Sequence, residues 1–343
     1  MSPRTALVSG ASGFVGRWVV AALRRRGMAV RAGVHRSGDQ SRFSRDDEVE
    51  AVTLNILDHR SLSRAMEGVD LVFHFAALLD PRAASTDLFR VNAEGTRSVW
   101  ECAAARNVEA ALYCSSAAVY GVLAGSGQPV SESGVPRAVE PYGRSKLLGE
   151  LAALEISKRT GLPTVIIRPA AIFGPGQRTT FAKALRRAAV SKILLADEFL
   201  GRKFSFVHVE DVAEAAAHVL ESTDNAVRIY NVAGEKPVSF DDAFRAYQSA
   251  LKRSGEHLLR ARFLAMVSLA IQRAPGLSTF LSTHGGSRIG YRLWRPGFDI
   301  TYSSKALLDS GFRFKWVDFE EVILSCIKDE EEDLSHSADL PLP

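Results

Sequence analysis

Tyr142-Gly143-Arg144-Ser145-Lys146 places a phenol and an ammonium four residues apart. On a helix that spacing sets the two side chains on one face, one turn from each other. A free tyrosine, with a pKa near ~10, is a poor acid–base group at neutral pH. A neighbouring positive charge favours the phenolate, so Lys146 is expected to lower the Tyr142 pKa. A drop of roughly 2–3 units corresponds to about 3–4 kcal/mol, within reach of one desolvated lysine. The pair also arises by chance in chains of this length, so its meaning depends on what surrounds it.

A second chemical element lies near the start. Gly10-Ala-Ser-Gly13-Phe-Val-Gly16 falls between an apolar run, Ala6-Leu-Val-Ser9, and a segment with helical spacing. Glycines there permit a tight turn and close backbone approach to a pyrophosphate, while the helix start supplies amide donors and positive dipole. The next strand ends Val34-His35-Arg36-Ser37, with no carboxylate to accept from the ribose 2′-hydroxyl of NAD. His35 and Arg36 offer donors and charge suited to a 2′-phosphate. NADP(H) is therefore the expected cofactor, with NAD(H) as the alternative.

These groups need a scaffold. A helix is expected over Phe14–Arg26, ended by Gly27, then a strand at Val30–Val34. Strands at Val52–Asn55, Leu71–Phe75, Ala110–Ser115 and Pro163–Arg168 alternate with helices at Ser61–Met66, Phe89–Arg106 and from Tyr142 to about Thr160. Alternation of this kind implies an α/β fold with a doubly wound parallel sheet buried on both faces. After Gly174-Pro-Gly176 the regularity loosens. Strands at Phe204–Val209 and Arg228–Val232 and helices at Asp211–Glu221 and Phe240–Ser254 suggest a smaller lobe interleaved with the sheet. The expected organisation is a dinucleotide-binding Rossmann domain over 1–168 with returning segments near 204–232. A substrate-binding lobe over 169–328 and a flexible acidic tail over 329–343 complete it.

The 343 residues are 46% hydrophobic and 24% charged with a formal net charge of +4, an ordinary globular balance. The positive excess is scattered arginine and points to a solvated surface rather than a nucleic-acid partner. Cys102, Cys114 and Cys326 have no paired spacing, so no metal site and no disulfide framework is expected, which suits a reducing cytoplasm. No signal peptide is visible, and no segment reaches the ~18 uncharged apolar residues of an integral span.

Taken together the motifs resemble the extended short-chain dehydrogenase/reductase family. The resemblance runs from Gly10 to about Ile327 and rests on ordered motifs. They are the glycine loop, Asn55-Ile56-Leu-Asp58, His74-Phe-Ala-Ala77, Val91-Asn92-Ala-Glu-Gly95-Thr96, Ser115-Ser-Ala-Ala-Val-Tyr-Gly121 and Tyr142-x-x-x-Lys146. Arg168-Pro-Ala-Ala-Ile-Phe-Gly-Pro-Gly176 and Phe206-Val-His-Val-Glu-Asp-Val212 follow. It implies that Tyr142 is the acid–base residue and that Lys146 holds the nicotinamide ribose. Ser116, with Ser115 as the alternative, binds the substrate oxygen, and Asn92 supports them, in a proton relay or otherwise. It further implies that Asn55 and Ile56 contact adenine, and that Phe75, Ala76 and Ala77 line the diphosphate and ribose. Ser12, Phe14 and Val15 of the glycine loop, with Pro169 and Ile172, complete the cofactor set. Relatives often pair the two helices expected at Phe89–Arg106 and Tyr142–Thr160, which makes a homodimer an expectation.

Two departures narrow the chemistry. Dehydratases of the family place Asp-Glu directly after the catalytic serine or threonine, where this chain has Ala117 and Ala118. Methyl groups exchange no protons, so elimination is disfavoured. Sugar-nucleotide enzymes usually have asparagine at the position of Ala171. The segment looks more like the 3β-hydroxysteroid dehydrogenase and ketone reductase branch, as does the apolar stretch Leu258–Ile271, a candidate lid, core helix or membrane-surface helix. The expected activity is interconversion of a secondary alcohol with a ketone or aldehyde on a largely apolar small molecule. A sugar-nucleotide epimerase and a non-catalytic cofactor-binding regulator are the alternatives.

Overall fold

The computed structural model describes residues 3–43, 46, 48–80, 83–121, 128–177, 201–221, 227–253 and 299–327. The apolar stretch Leu258–Ile271 and the acidic tail, both singled out above, lie outside the described residues.

The strands are β1 (Thr5–Ser9), β2 (Ala29–Val34), β3 (Val49–Thr53), β4 (Leu71–His74), β5 (Ala110–Cys114), β6 (Thr164–Pro169), β7 (Ala171–Phe173), β8 (Lys203–Phe204), β9 (Phe206–His208), β10 (Arg228–Val232) and β11 (Val238–Ser239). The helices are α1 (Gly16–Arg25), α2 (His59–Ala65), α3 (Ser85–Phe89), α4 (Gly95–Ala105), α5 (Pro141–Thr160), α6 (Val209–Glu221), α7 (Phe240–Arg253) and α8 (Lys305–Asp309). Seven strands form one parallel sheet in the order β10-β6-β5-β4-β1-β2-β3. This is a Rossmann-type doubly wound fold.

Its strands read as near-continuous apolar runs because both faces are covered. Ala6, Val8, Leu71, Phe73, Leu112 and Ile167 pack with Val19, Leu23, Ala213 and Leu220 of α1 and α6. The alternate residues Leu7, Val72, Ala111, Tyr113 and Ile166 pack with Leu62, Val99, Trp100, Ala153 and Ile156 of α2, α4 and α5. The period of two therefore decides which residues face the α4–α5 layer. Strand order reverses between β1 and β4, and in open sheets the crevice at such a reversal is the place for a ligand.

A second cluster, Phe173, Phe204, Phe206, Phe240 and Phe319, holds β7, β8, β9, α7 and the helical residues 319–327 together. β10, far along the chain, returns to the main sheet beside β6.

The long helix expected from Phe89 to Arg106 is different in detail. It begins at Ser85, and a π-helical turn, Arg90–Glu94, separates α3 from α4. Such turns recur at functional sites, and this one contains the buried Asn92. β3 starts at Val49 rather than Val52, because Val49–Thr53 pairs along the whole of Val30–Val34.

Candidate active site

α5 opens with Pro141 at its first position, where no amide is needed, and Tyr142 follows. Gly143 brings this helix start against the turn after β5. A Cβ on Gly143 would lie 2.6 Å from the Ala118 carbonyl oxygen. Ser116 holds that turn: its Oγ accepts from the Ala118 amide at 3.1 Å. The result sets the Ser116 hydroxyl beside the Tyr142 phenol, where it favours the phenolate. Ser115 is buried, and its hydroxyl has no hydrogen-bond partner among the described residues.

Lys146 is only 2% exposed. Its Nζ lies 4.3 Å from the centroid of the Tyr113 ring. Burial lowers its pKa to about 8, against opposing contributions from Cys114 and from Glu150, the next residue on the same helix face. The expected low phenol pKa is not what the structure gives. Tyr142 is pushed up, first by burial and then by Cys114, with only the Ser116 hydroxyl opposing. Desolvation of the phenolate outweighs any attraction from an ammonium seated on another ring. The Cys114 thiol is itself pushed up to about 11 by burial.

Beneath these groups runs a buried hydrogen-bonded chain. The Ala76 amide donates to Ser9 Oγ (3.3 Å), which lies 2.6 Å from His74 Nδ1. His74 Nε2 is 3.1 Å from Thr96 Oγ1, and that hydroxyl donates to the Asn92 carbonyl at 2.7 Å. The fixed ends set the direction: Ser9 donates to Nδ1, and Nε2–H donates to Thr96. His74 is therefore neutral, its pKa lowered to about 3 by burial and then by Lys146. Asn92 clamps the loop after β4 to α5. Its Oδ1 accepts from the Leu78 amide (2.7 Å), and its Nδ2 donates to Leu78 O and Ser145 Oγ, each at 3.0 Å. These contacts make Asn92 a positioning residue in this arrangement.

The glycine loop forms a cradle. A Cβ on Gly10, whose φ is +72°, would lie 2.7 Å from the Ala76 amide, and one on Gly16 would lie 2.1 Å from Gly10 O. The ten-residue α1 has no side-chain cap, and the amides of Phe14, Val15 and Gly16 meet no acceptor among the described residues. Free amides at a helix start beside close-packed glycines suit a pyrophosphate. A nicotinamide dinucleotide thus fits the residues present: glycine loop for the diphosphate, Lys146 and Tyr142 for the nicotinamide end.

His35 and Arg36 are exposed after β2, and Arg36 makes no ion pair among the described residues. Asn55 is exposed after β3, its Oδ1 accepting from Leu57 N, while Ile56 packs on Gly95 at the start of α4. Phe75 and Ala76 are partly buried and Ala77 is exposed at the end of β4. Pro169 is buried at the end of β6, and Ile172 on β7 pairs with Val207. His35, Arg36, Asn55, Ile56, Phe75, Ala76 and Ala77 all follow the carboxyl ends of their strands in the main sheet, whereas Ile172 lies within β7 of a separate two-stranded sheet.

Four further residues belong to this region. Asp39 accepts from Ser12 Oγ at 3.2 Å and pairs with Arg42. It escaped notice because it lies in a 3-10 turn, Ser37–Phe43, beyond the strand end. Arg17 donates to Pro175 O at 2.6 Å and ties α1 to the Gly174-Pro-Gly176 loop, for which the sequence offered no signal. Glu150 could have been found by extending the four-residue spacing from Tyr142 through Lys146. Tyr113 could have been found from the strand period.

No group of three metal-ligating side chains occurs among the described residues. No described helix is long and apolar enough to cross a membrane. An open groove of about 810 Å³ between α2 and α4 is lined by Asp58, Arg60, Arg64 and Arg106. Ser116, Tyr142 and Lys146 do not line it.

The family model "NAD dependent epimerase/dehydratase family" matches residues 6–233, and the chain belongs to that family. The uncharacterized protein y4nG of Sinorhizobium fredii is 34% identical over 67% of this chain and 56% of its own length. A dihydroflavonol 4-reductase of Callistephus chinensis is 26% identical over 95% of this chain and 86% of its own. A 3-beta-hydroxysteroid dehydrogenase of Mycolicibacterium neoaurum is 27% identical over 68% and 66%. Among solved structures, a UDP-N-acetylglucosamine 4-epimerase of Methanobrevibacter ruminantium has TM-score 0.74 at 19% identity. It covers 97% of this chain and 100% of its own. That likeness is one of fold.

Proposed function

We propose that the chain is a nicotinamide-dependent oxidoreductase that interconverts a secondary alcohol and a ketone or aldehyde on a largely apolar small molecule, with NADP(H) preferred. The observation that carries this is the Ser116 hydroxyl set beside Tyr142 on the helix face that also bears Lys146, with methyl groups at Ala117 and Ala118. When bound, the nicotinamide supplies or accepts hydride at the substrate carbon. Ser116 donates to the substrate oxygen and polarises the carbonyl. Tyr142, kept protonated by burial, gives its proton to that oxygen, which suits it to reduction. Lys146 offers its charge to the resulting phenolate and to the nicotinamide ribose. Arg36, exposed after β2, would hold the 2′-phosphate. Ala171 removes the amide that a nucleotide diphosphate would use, and the relatives named as a reductase and a hydroxysteroid dehydrogenase favour an apolar substrate. A second copy would pack on α5, where Leu148 and Leu151 are about half exposed.

The test is hydride transfer from NADPH to a panel of steroid and long-chain ketones, followed by nicotinamide absorbance. Turnover lost in Tyr142→Phe with cofactor affinity kept supports the mechanism, and full activity in that variant overturns it. Thermal stabilisation by UDP-sugars alone would replace it with sugar-nucleotide epimerisation.

A further inference from the structure

We infer that the ring of Tyr113 is the seat of the Lys146 ammonium, a positioning residue that keeps the amine charged and fixed beneath the Ser116–Tyr142 pair. The inference rests on the role given to Lys146 above.

A buried ammonium without a partner is costly. Among the described residues, Lys146 Nζ makes no hydrogen bond and no ion pair; its one close partner is the aromatic face 4.3 Å away. A ring quadrupole attracts a cation most where water is excluded, and both groups are buried, Tyr113 at 0% and Lys146 at 2% exposure. The ring cannot swing away. His74 stacks on it with centroids 5.6 Å apart, and Trp100 meets it edge-on at 5.9 Å. Its hydroxyl reaches Asn92 O at 3.4 Å, in the gap left by Gly149. A Cβ at 149 would lie 2.4 Å from that hydroxyl oxygen. The glycine therefore lets α5 approach β5 closely enough for Lys146 to reach the ring.

The other titratable groups around the amine do not replace the ring. Tyr142 lies one turn back on α5 and is neutral. Cys114 on β5 is held neutral by burial, with a pKa near 11. His74 on β4 is held neutral with a pKa near 3, so it brings no competing positive charge. Glu150, one turn on, is a carboxylate, but both its oxygens are taken by Arg168.

The experiment replaces Tyr113 by phenylalanine, 4-fluorophenylalanine and 3,4,5-trifluorophenylalanine, which nearly keep shape while draining the ring's negative face. The Lys146 titration is read by carbon NMR of the lysine ε position in cofactor-free protein, assigned with Lys146→Met. Tyr113→Phe should titrate close to the wild type, and the midpoint should step down with fluorination by about 1 pH unit in total. One midpoint across the series overturns the inference. The alkaline limb of kcat should follow the NMR midpoint. If the midpoint moves and the limb does not, the seat stands and the role proposed for Lys146 falls.

Discussion

Arg168 grips both oxygens of Glu150, with Nε at 2.9 Å and NH2 at 2.7 Å, one helical turn beyond Lys146. Both side chains are at most 4% exposed. The third nitrogen donates to Tyr120 Oη at 2.8 Å, which donates to Asn231 Oδ1, and Asn231 in turn donates to the carbonyls of Val130 and Ser303. One satisfied network thus joins the helix that carries Tyr142 and Lys146 to β6, β10 and the segment leading into α8.

Breaking that pair on one side leaves a buried charge unanswered. Glu150→Ala or Arg168→Ala should each cost about 3–5 kcal/mol in urea unfolding. Glu150→Leu with Arg168→Met should cost less than either single change. Additive losses would show that the pair is not coupled.

Lys146 has a folded pKa of about 8, below its ordinary value of 10.5. Between those values the unfolded chain binds more protons, so this group makes stability rise with pH there. At pH 7 both states are charged and the folded protein carries the full desolvation cost. Lys146→Met should therefore raise the thermal midpoint at pH 7 by at least about 2 °C while abolishing turnover. The wild-type rate should fall as pH passes about 8.

His74 and His208 are held neutral, at about 3 and about 4, chiefly by burial. Below pH 6.5 the unfolded chain gains protons that the folded chain refuses, so stability drops with acidity. Each group contributes up to about 1.4 kcal/mol per pH unit until its folded pKa is reached. Urea midpoints should decline steeply from pH 6.5 to 4, and His74→Gln should flatten that decline.

Gly16→Ala would force a methyl against the Gly10 carbonyl oxygen and distort the turn over α1. Fluorescence titration should show cofactor affinity falling by tenfold or more, with a smaller effect on stability. Unchanged affinity would remove the glycine loop from the cofactor site.

Cofactor choice sets Arg36 against Asp39, which Ser12 and Arg42 hold beside the loop. Arg36→Ala should lower kcat/KM for NADPH about tenfold with little change for NADH, whereas Asp39→Asn should widen the gap by helping NADPH. Equal values for both cofactors in the wild type would remove the preference.

Much of this molecule is local and is written in its sequence. Alternating periods of two and 3.6 specify strands and helices, glycines mark the turns that admit no Cβ, and a four-residue spacing aligns Tyr142, Lys146 and Glu150 on one face. Local rules also place Ser116 at a turn after an apolar strand. They cannot give the sign of the Tyr142 shift, because that depends on how much water the folded chain removes from the phenol. Nor could they show that Asp39 returns to Ser12, that Arg168 closes on Glu150, or that β5 presents Tyr113 to an amine 33 residues later. Those partners are distant in sequence, and only sheet order and helix packing make them neighbours. Desolvation and long-range contact belong to the tertiary structure, and here they decide which protons are held and which are released.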